Sequence, residues 1–260
     1  MFDTASEALV PNLVSSDDLD SANGRLQASE WAANTFVGPP FGALLFAAAA
    51  SVPFLFDAGS FVLAAVLVST IGGAYRGREV ASRTGNLANE IGDGLRWLWR
   101  HTVLRTLSLM AGVTNLVGTG IVAIFVLFVQ DVLDLGDIGF GLILATIGVG
   151  GLIGALTAPL IVKRLGPGTT LLASQVGLGI GAVVMGATSN AAVAAVVAGF
   201  YGLLIGLWNV VAVTLRQRLT PDDLRGRVAS VARLLAWGTQ PLGALLGGVI
   251  TAGFGLRAPF

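Results

Sequence analysis

Asp17-Asp18-Leu19, Gly24-Arg25 and Pro40-Phe41-Gly42-Ala43-Leu44-Leu45 return later as Asp222-Asp223-Leu224, Gly226-Arg227 and Pro241-Leu242-Gly243-Ala244-Leu245-Leu246. The copies keep their order and lie about 200 residues apart. In each, a charged loop leads into an apolar helix. A repeat of this kind fixes architecture before any single motif does. It points to a membrane protein built from two parallel-related halves. The separation of the copies is about one repeat unit, and the chain starts and stops in mid-unit. One unit is therefore expected nearly whole and the other only in part.

Composition places those units in a bilayer. Only 12% of the 260 residues are charged and 54% are hydrophobic, where a soluble domain carries about 25% charged residues. Five stretches carry no charge at all: 31–56, 106–130, 138–162, 166–215 and 234–256. Each is at least as long as the roughly 20 residues that cross a bilayer as a helix. The fourth is long enough for two crossings, with Ala187-Thr188-Ser189-Asn190 as the break. The expected fold is all-α: a polytopic bundle of about seven transmembrane helices, at about 31–50, 54–71, 106–129, 140–162, 169–188, 191–214 and 234–255. Three regions follow. Residues 1–71 are a remnant of an N-terminal helical half with two spans. Residues 72–105 are a linker holding an amphipathic helix on the membrane surface, in which Ile91, Leu95 and Leu98 recur at helical spacing. Residues 106–260 are a C-terminal half with five spans.

All but Arg257 of the 15 Lys and Arg residues fall on one side of this alternation. The positive-inside rule then puts the N-terminus and the central loop in the cytoplasm of a multi-pass cell-membrane protein. Trp97 and Trp99 read as interfacial anchors. Zero net charge gives no reason to expect a nucleic-acid partner. The partners to expect are membrane lipids and a small-molecule substrate.

An enzyme is not expected. The chain has no cysteine and one histidine, His101, so neither a nucleophile–base pair nor a metal cluster can be assembled. No cofactor is called for. Gly177-x-Gly179-x-Gly181 follows no strand and lies within a span, which rules out a dinucleotide loop.

Several stretches carry a family resemblance: Ala22-Asn23-Gly24-Arg25-Leu26-Gln27-Ala28, Gly38-Pro39-Pro40, Leu55-Phe56-Asp57-Ala58 and Leu215-Arg216-Gln217-Arg218. Gly154-x-x-x-Ala158-Pro159 with Lys163-Arg164 is similar to a cytoplasmic loop motif. Together they resemble a C-terminal portion of a major facilitator superfamily transporter of the bacterial multidrug and siderophore exporter type, without the first four helices and the last. The resemblance implies a partial major facilitator fold and secondary active, proton-coupled efflux of drug-like or siderophore-like compounds. It leaves open a non-transporting truncated protein or an assembly partner, with the missing helices supplied by another chain.

Candidate sites follow from polar groups inside spans. Asp57 lies within an apolar run, where charge is costly and protonation relieves it; it is a candidate for proton coupling, or an interaction at a helix start. Asn34, Asn115, Gln175 and Asn209 either line a substrate cavity or bond helices together. Arg25, Asp17, Asp18, Lys163, Arg164, Asp222, Asp223 and Arg227 are candidates for a cytoplasmic latch, with topology setting and headgroup contact as the alternative. The glycine pairs 150/154, 177/181, 202/206 and 243/247 have the spacing of close helix packing.

Overall fold

The structure, a computed structural model, describes residues 10–11, 13–15, 17–38, 41, 45–46, 49–70, 87–221 and 224–260. The described residues form nine α-helices and no strand. They are α1 Leu19–Ala32, α2 Val52–Thr70, α3 Leu87–Arg100, α4 Thr102–Leu127, α5 Asp137–Leu165, α6 Pro167–Ala187, α7 Ala191–Leu219, α8 Arg225–Trp237 and α9 Gln240–Phe254. Wider π-helical turns at Ala33–Val37 and Phe128–Val132 extend α1 and α4. Among the described residues, five helical stretches are long and apolar enough to cross a membrane, with α8 and α9 counted as one, and α2 supplies a shorter apolar stretch, Val52–Leu67.

Helix limits differ from the hydropathy limits, mostly toward longer helices, except that the expected span at 234–255 is broken at Gly238 and Thr239 into α8 and α9. α1 begins at Leu19, so the polar stretch expected to be a loop is helical. It can be helical because Asn23, Gly24 and Ala28 turn inward onto the other helices. α7 likewise continues through Arg216 and Arg218 to Leu219. α8 starts at Arg225, inside a segment expected to be a basic loop. A charged residue at a helix end costs little when its head reaches water, so charge marks the limit of the apolar slab and not of the helix.

Connections are short where chemistry makes them so. Gly166 takes φ 79° between α5 and α6, a conformation that suits glycine, and Pro167 opens α6 at its first turn. The Asn190 side chain accepts from the amides of Ala192 and Val193 and caps α7. The spans α4, α5, α6, α7 and the joined α8–α9 thus alternate in direction. One end of the bundle gathers Arg105, Lys163, Arg164, Arg216, Arg218 and Arg225; the other holds Asp131, Asp134 and Asp137 with Arg257.

Within α4–α9, backbones meet directly. A Cβ added at Gly154 would strike the carbonyl oxygen of Leu203, and one at Gly206 that of Gly151. Across α4 and α9, Gly247 faces the Gly120 carbonyl in the same way. Lipid offers no hydrophobic drive for helix association, so small residues that permit close approach do the work. Large apolar side chains such as Leu156, Leu172, Val183 and Leu245 point outward instead. α1 packs on α5 and α7. Gly24 meets the Ala155 carbonyl and Pro159, while Trp31 covers Gly151.

The two copies of the repeat meet different surroundings. Gly24 is packed against α5, whereas a Cβ at Gly226 would meet nothing within 4 Å. Pro40, Gly42, Asp222 and Asp223, which belong to the repeat, lie outside the described residues.

Candidate functional site: a polar cavity between the first helix and the C-terminal bundle

A cavity of about 670 Å³ opens between α1, α4, α7 and α8. That is within the range of about 300–1,000 Å³ usual for small-molecule sites. Side chains one helical turn apart stack on a single face, which is why Asn23, Gln27, Glu30 and Asn34 of α1 and its extension all reach it. The same spacing brings in Ser108, Ala111 and Asn115 from α4. α7 contributes Trp208, Asn209, Val213 and Arg216, and α8 contributes Arg233, Ala236 and Trp237.

Three of the four polar residues singled out in the sequence, Asn34, Asn115 and Asn209, line this cavity. Asn115 also ties helices together: its amide donates to the Ala111 carbonyl at 2.9 Å, and its oxygen accepts from Gln240 at 3.1 Å. Gln175 is not among the lining residues. Its amide donates to Thr114 Oγ1 at 2.8 Å, linking α6 to α4.

The wall carries charge of both signs. Glu30 lies on α1; Arg216 and Arg233 lie on α7 and α8. Arg233 stacks over the Trp237 ring at 5.4 Å, a contact that stabilises a guanidinium away from bulk water. The indole N–H of Trp208 is buried without a hydrogen-bond partner, and an unpaired buried donor favours a ligand that can accept from it. Glu30 was not singled out in the sequence. It stands one residue before an uncharged run and so reads as the last residue of a loop; only the helical phase of α1 turns it to the cavity.

At the arginine-rich end, a polar seam beside the cavity joins α1 to α7. Asn23, 1% exposed, donates to Thr214 Oγ1 at 2.9 Å and to Gln217 Oε1 at 2.6 Å. Arg218 pairs with Asp20 at 3.0 Å. The sequence offered no pairing signal for these residues, which lie almost 200 positions apart. The candidate latch residues sit nearby in other roles. Asp17 and Asp18 are exposed ahead of α1, and Asp18 accepts from Ser15 Oγ at 2.8 Å. Arg25 is exposed on α1, and Lys163 and Arg164 are exposed in the last turn of α5. Arg227 packs its Cβ on the position of Gly94 in α3.

Asp57 lies on α2, exposed, and is not among the residues that line the cavity. Among the described residues, no group of three or more His, Asp or Glu side chains is placed to hold a metal ion.

A bundle of apolar helices joined through glycine crossings, several of them long and apolar enough to cross a bilayer, is the build of a multi-pass membrane protein. The chain belongs to the Major Facilitator Superfamily, whose sequence pattern matches residues 1–239. It is 29% identical over 270 residues to the multidrug efflux pump Tap of Mycolicibacterium fortuitum, a match covering 99% of this chain and 63% of that one. It is also 29% identical over 262 residues to the multidrug efflux pump Tap of Mycobacterium tuberculosis (strain ATCC 25618 / H37Rv), covering 99% of this chain and 62% of the relative. The chain thus spans less than two thirds of the length of these relatives. Its fold is similar to the crystal structure of a bacterial homologue of the iron transporter ferroportin in an outward-facing state. The TM-score is 0.71 at 24% identity, over 96% of this chain and 62% of the other.

Proposed function

We propose that the chain takes part in the efflux of small drug-like or siderophore-like molecules across the cell membrane, as a secondary active, proton-coupled transporter. The observation that carries this reading is the 670 Å³ cavity lined by Asn34, Asn115 and Asn209, in a chain related to multidrug efflux pumps. Neutral amides beside Trp208 and Trp237 suit amphipathic substrates, because they offer hydrogen bonds and flat apolar faces together.

In this reading the arginine-rich end faces the cytoplasm, together with the N-terminus and residues 72–105. Residues 1–71 act as part of one half and 106–260 as the other. The cytoplasmic latch is the Asp20–Arg218 pair with the Asn23–Thr214–Gln217 bonds. Arg25, Asp17, Asp18, Lys163, Arg164, Asp222, Asp223 and Arg227 supply the surrounding charge. Asp57 is a candidate for proton coupling, and Glu30 shares the role from the cavity wall, where protonation can respond to a bound substrate.

The test is dye efflux from vesicles holding the purified chain, driven by an imposed proton gradient. Proton-dependent efflux is expected. Glu30→Gln should abolish the proton dependence, and Asp57→Asn should weaken it. An Asp57→Asn variant indistinguishable from the parent would remove Asp57 from coupling.

The second reading is that the chain transports nothing alone, or acts as an assembly partner with further helices from another chain. Efflux that appears only on co-expression with a chain supplying four such helices would select it.

A further inference from the structure

We propose that residues 255–260 act as a releasable clasp across the acid-rich end of the bundle. Arg257 and Phe260 hold α4 and α9 against α6 and α7, and their release opens an apolar pocket to water. This rests on how the helices pack and not on the transport reading.

Glycine marks which helices travel together. α4 carries Gly112, Gly118 and Gly120. Gly112 faces the Leu235 carbonyl of α8, and Gly120 faces the Gly243 carbonyl of α9. α4, α8 and α9 thus form one group, as α5 and α7 do, with α6 packed on α7. Gly118 meets only the Tyr201 hydroxyl of α7. Across the boundary between the groups the contacts described are between side chains: Phe125 with Phe140, and Gln175 with Thr114. Packed side chains can slide past one another by small steps.

The clasp crosses that boundary. Gly255 takes φ 87° and turns the chain after α9. The Arg257 guanidinium then donates to the Gly186 carbonyl at 2.7 Å and the Thr188 carbonyl at 3.2 Å, and also to Ser189 Oγ. Carbonyls at a helix C-terminus lack a partner within the helix and carry partial negative charge, so a cation suits them. Here the cation comes from the other group of helices. The Phe260 ring lies 4.5 Å from that of Phe128. Its Cβ stands where a side chain on Gly186 would have to be. Leu256 and Phe260 join the buried cluster of Phe128, Val129, Met185 and Ala194. Arg257 itself is exposed, so water can replace its bonds.

The clasp stands at the edge of a pocket of about 70 Å³, whose walls include Gly118, Phe125, Ala182, Met185, Tyr201 and Phe260. A dry cavity that takes up benzene has about 150 Å³, so the pocket as closed is too small for a drug-sized molecule. It is a gap whose lining atoms lack contacts on one side. The helices there are not drawn together by packing alone, and the clasp supplies the difference. The pocket follows the polar cavity along the same face of α4: residues 107–115 reach the cavity and residues 118–125 reach the pocket. Release of the clasp therefore parts the same boundary from the opposite end.

The experiment uses the full chain in lipid discs, which leave both faces open to water. The chain has no cysteine, so Ala182→Cys gives one thiol at the pocket and Ser108→Cys one in the polar cavity. Each is reacted with a water-soluble maleimide, and the rates are compared with those of the denatured chain. The Ala182→Cys thiol should react slowly in the parent. Arg257→Gln should speed it about ten-fold, the factor expected for losing one hydrogen bond to a charged group, and leave the Ser108→Cys rate unchanged. Arg257→Lys should fall between, because an ammonium cannot span three acceptors as a planar fork does. Phe260→Ala removes the ring and keeps the guanidinium, and gives a second route to the same result should the arginine variant fail to fold. A rise confined to Ala182→Cys in either variant supports the clasp. Rates unchanged in both variants would overturn it. So would an equal rise at both thiols, which is general loosening, or a parent thiol at Ala182→Cys already as fast as in the denatured chain. The readout needs no substrate, so a chain that transports nothing still gives an answer.

Discussion

Asn23 shows what a single buried polar residue does in this chain. Its amide holds two acceptors on α7 at once, and all three partners are buried. Asn23→Ala removes both bonds and leaves the Thr214 and Gln217 oxygens without that donor. The expected cost is about 1–3 kcal/mol, seen as a lower melting temperature in detergent. Asp20→Asn should cost less, because its partner Arg218 is 36% exposed and water screens the pair. Asn34, Asn115 and Asn209 were legible as polar groups inside apolar runs, since a bilayer makes any such group conspicuous. Asn23 and Glu30 were not, because each lies in a stretch polar enough to pass for a loop. What sets them apart is the neighbour across the seam, and sequence does not carry that.

The helices divide into those that sequence locates well and those that it does not. α4 to α7 stand out because uncharged runs of bilayer length have few other uses. α1 and α8 were placed late, by about ten residues, because their first turns are polar and hydropathy averages over the inward and outward faces. The glycine pairs were legible as spacing, and the structure gives three of them backbone partners: 150/154 on α5 meets 202/206 on α7, and 243/247 on α9 meets the Leu116 and Gly120 carbonyls of α4, where carbonyl oxygens occupy the space a side chain would need. Gly206→Val should therefore cost at least the roughly 1–3 kcal/mol of an overpacked core, read as lost thermal stability or lost yield. Gly179 on α6 is the control. A Cβ there meets nothing within 4 Å, so Gly179→Ala should be neutral or slightly stabilising, given alanine's better helix propensity. Leu98→Ala on α3 should release α3 from α8, at about 2–5 kcal/mol for a buried leucine, with faster proteolysis near α3 as the local readout.

At the scale of the whole chain, the repeat is an expectation of pseudo-symmetric halves. Symmetry of sequence nevertheless does not mean symmetry of contact. Gly24 is packed and Gly226 is open, although both stand in the same Gly-Arg pair. A lone arginine swap tests whether the seam at the arginine-rich end governs access to the cavity. Arg218→Glu should raise the rate at which a thiol at Ser108, introduced by Ser108→Cys, reacts with a water-soluble reagent from that end. Adding Asp20→Arg should bring the rate back toward the parent. An unchanged rate in the single variant would show that access does not depend on the pair.

The glycine crossings have a mechanical corollary. Where α5 and α7 touch through their main chains, no side chain is available to rotate and absorb a displacement, so the two must travel as one rod. α1 meets that rod through one main-chain contact, Gly24 on the Ala155 carbonyl, and at its arginine-rich end also through amide, hydroxyl and ion-pair contacts that water can replace. Whatever shape change this protein undergoes, the bearing surface is at Asn23 and Arg218, and the fixed frame is the pair of helices whose glycines leave nothing to give way.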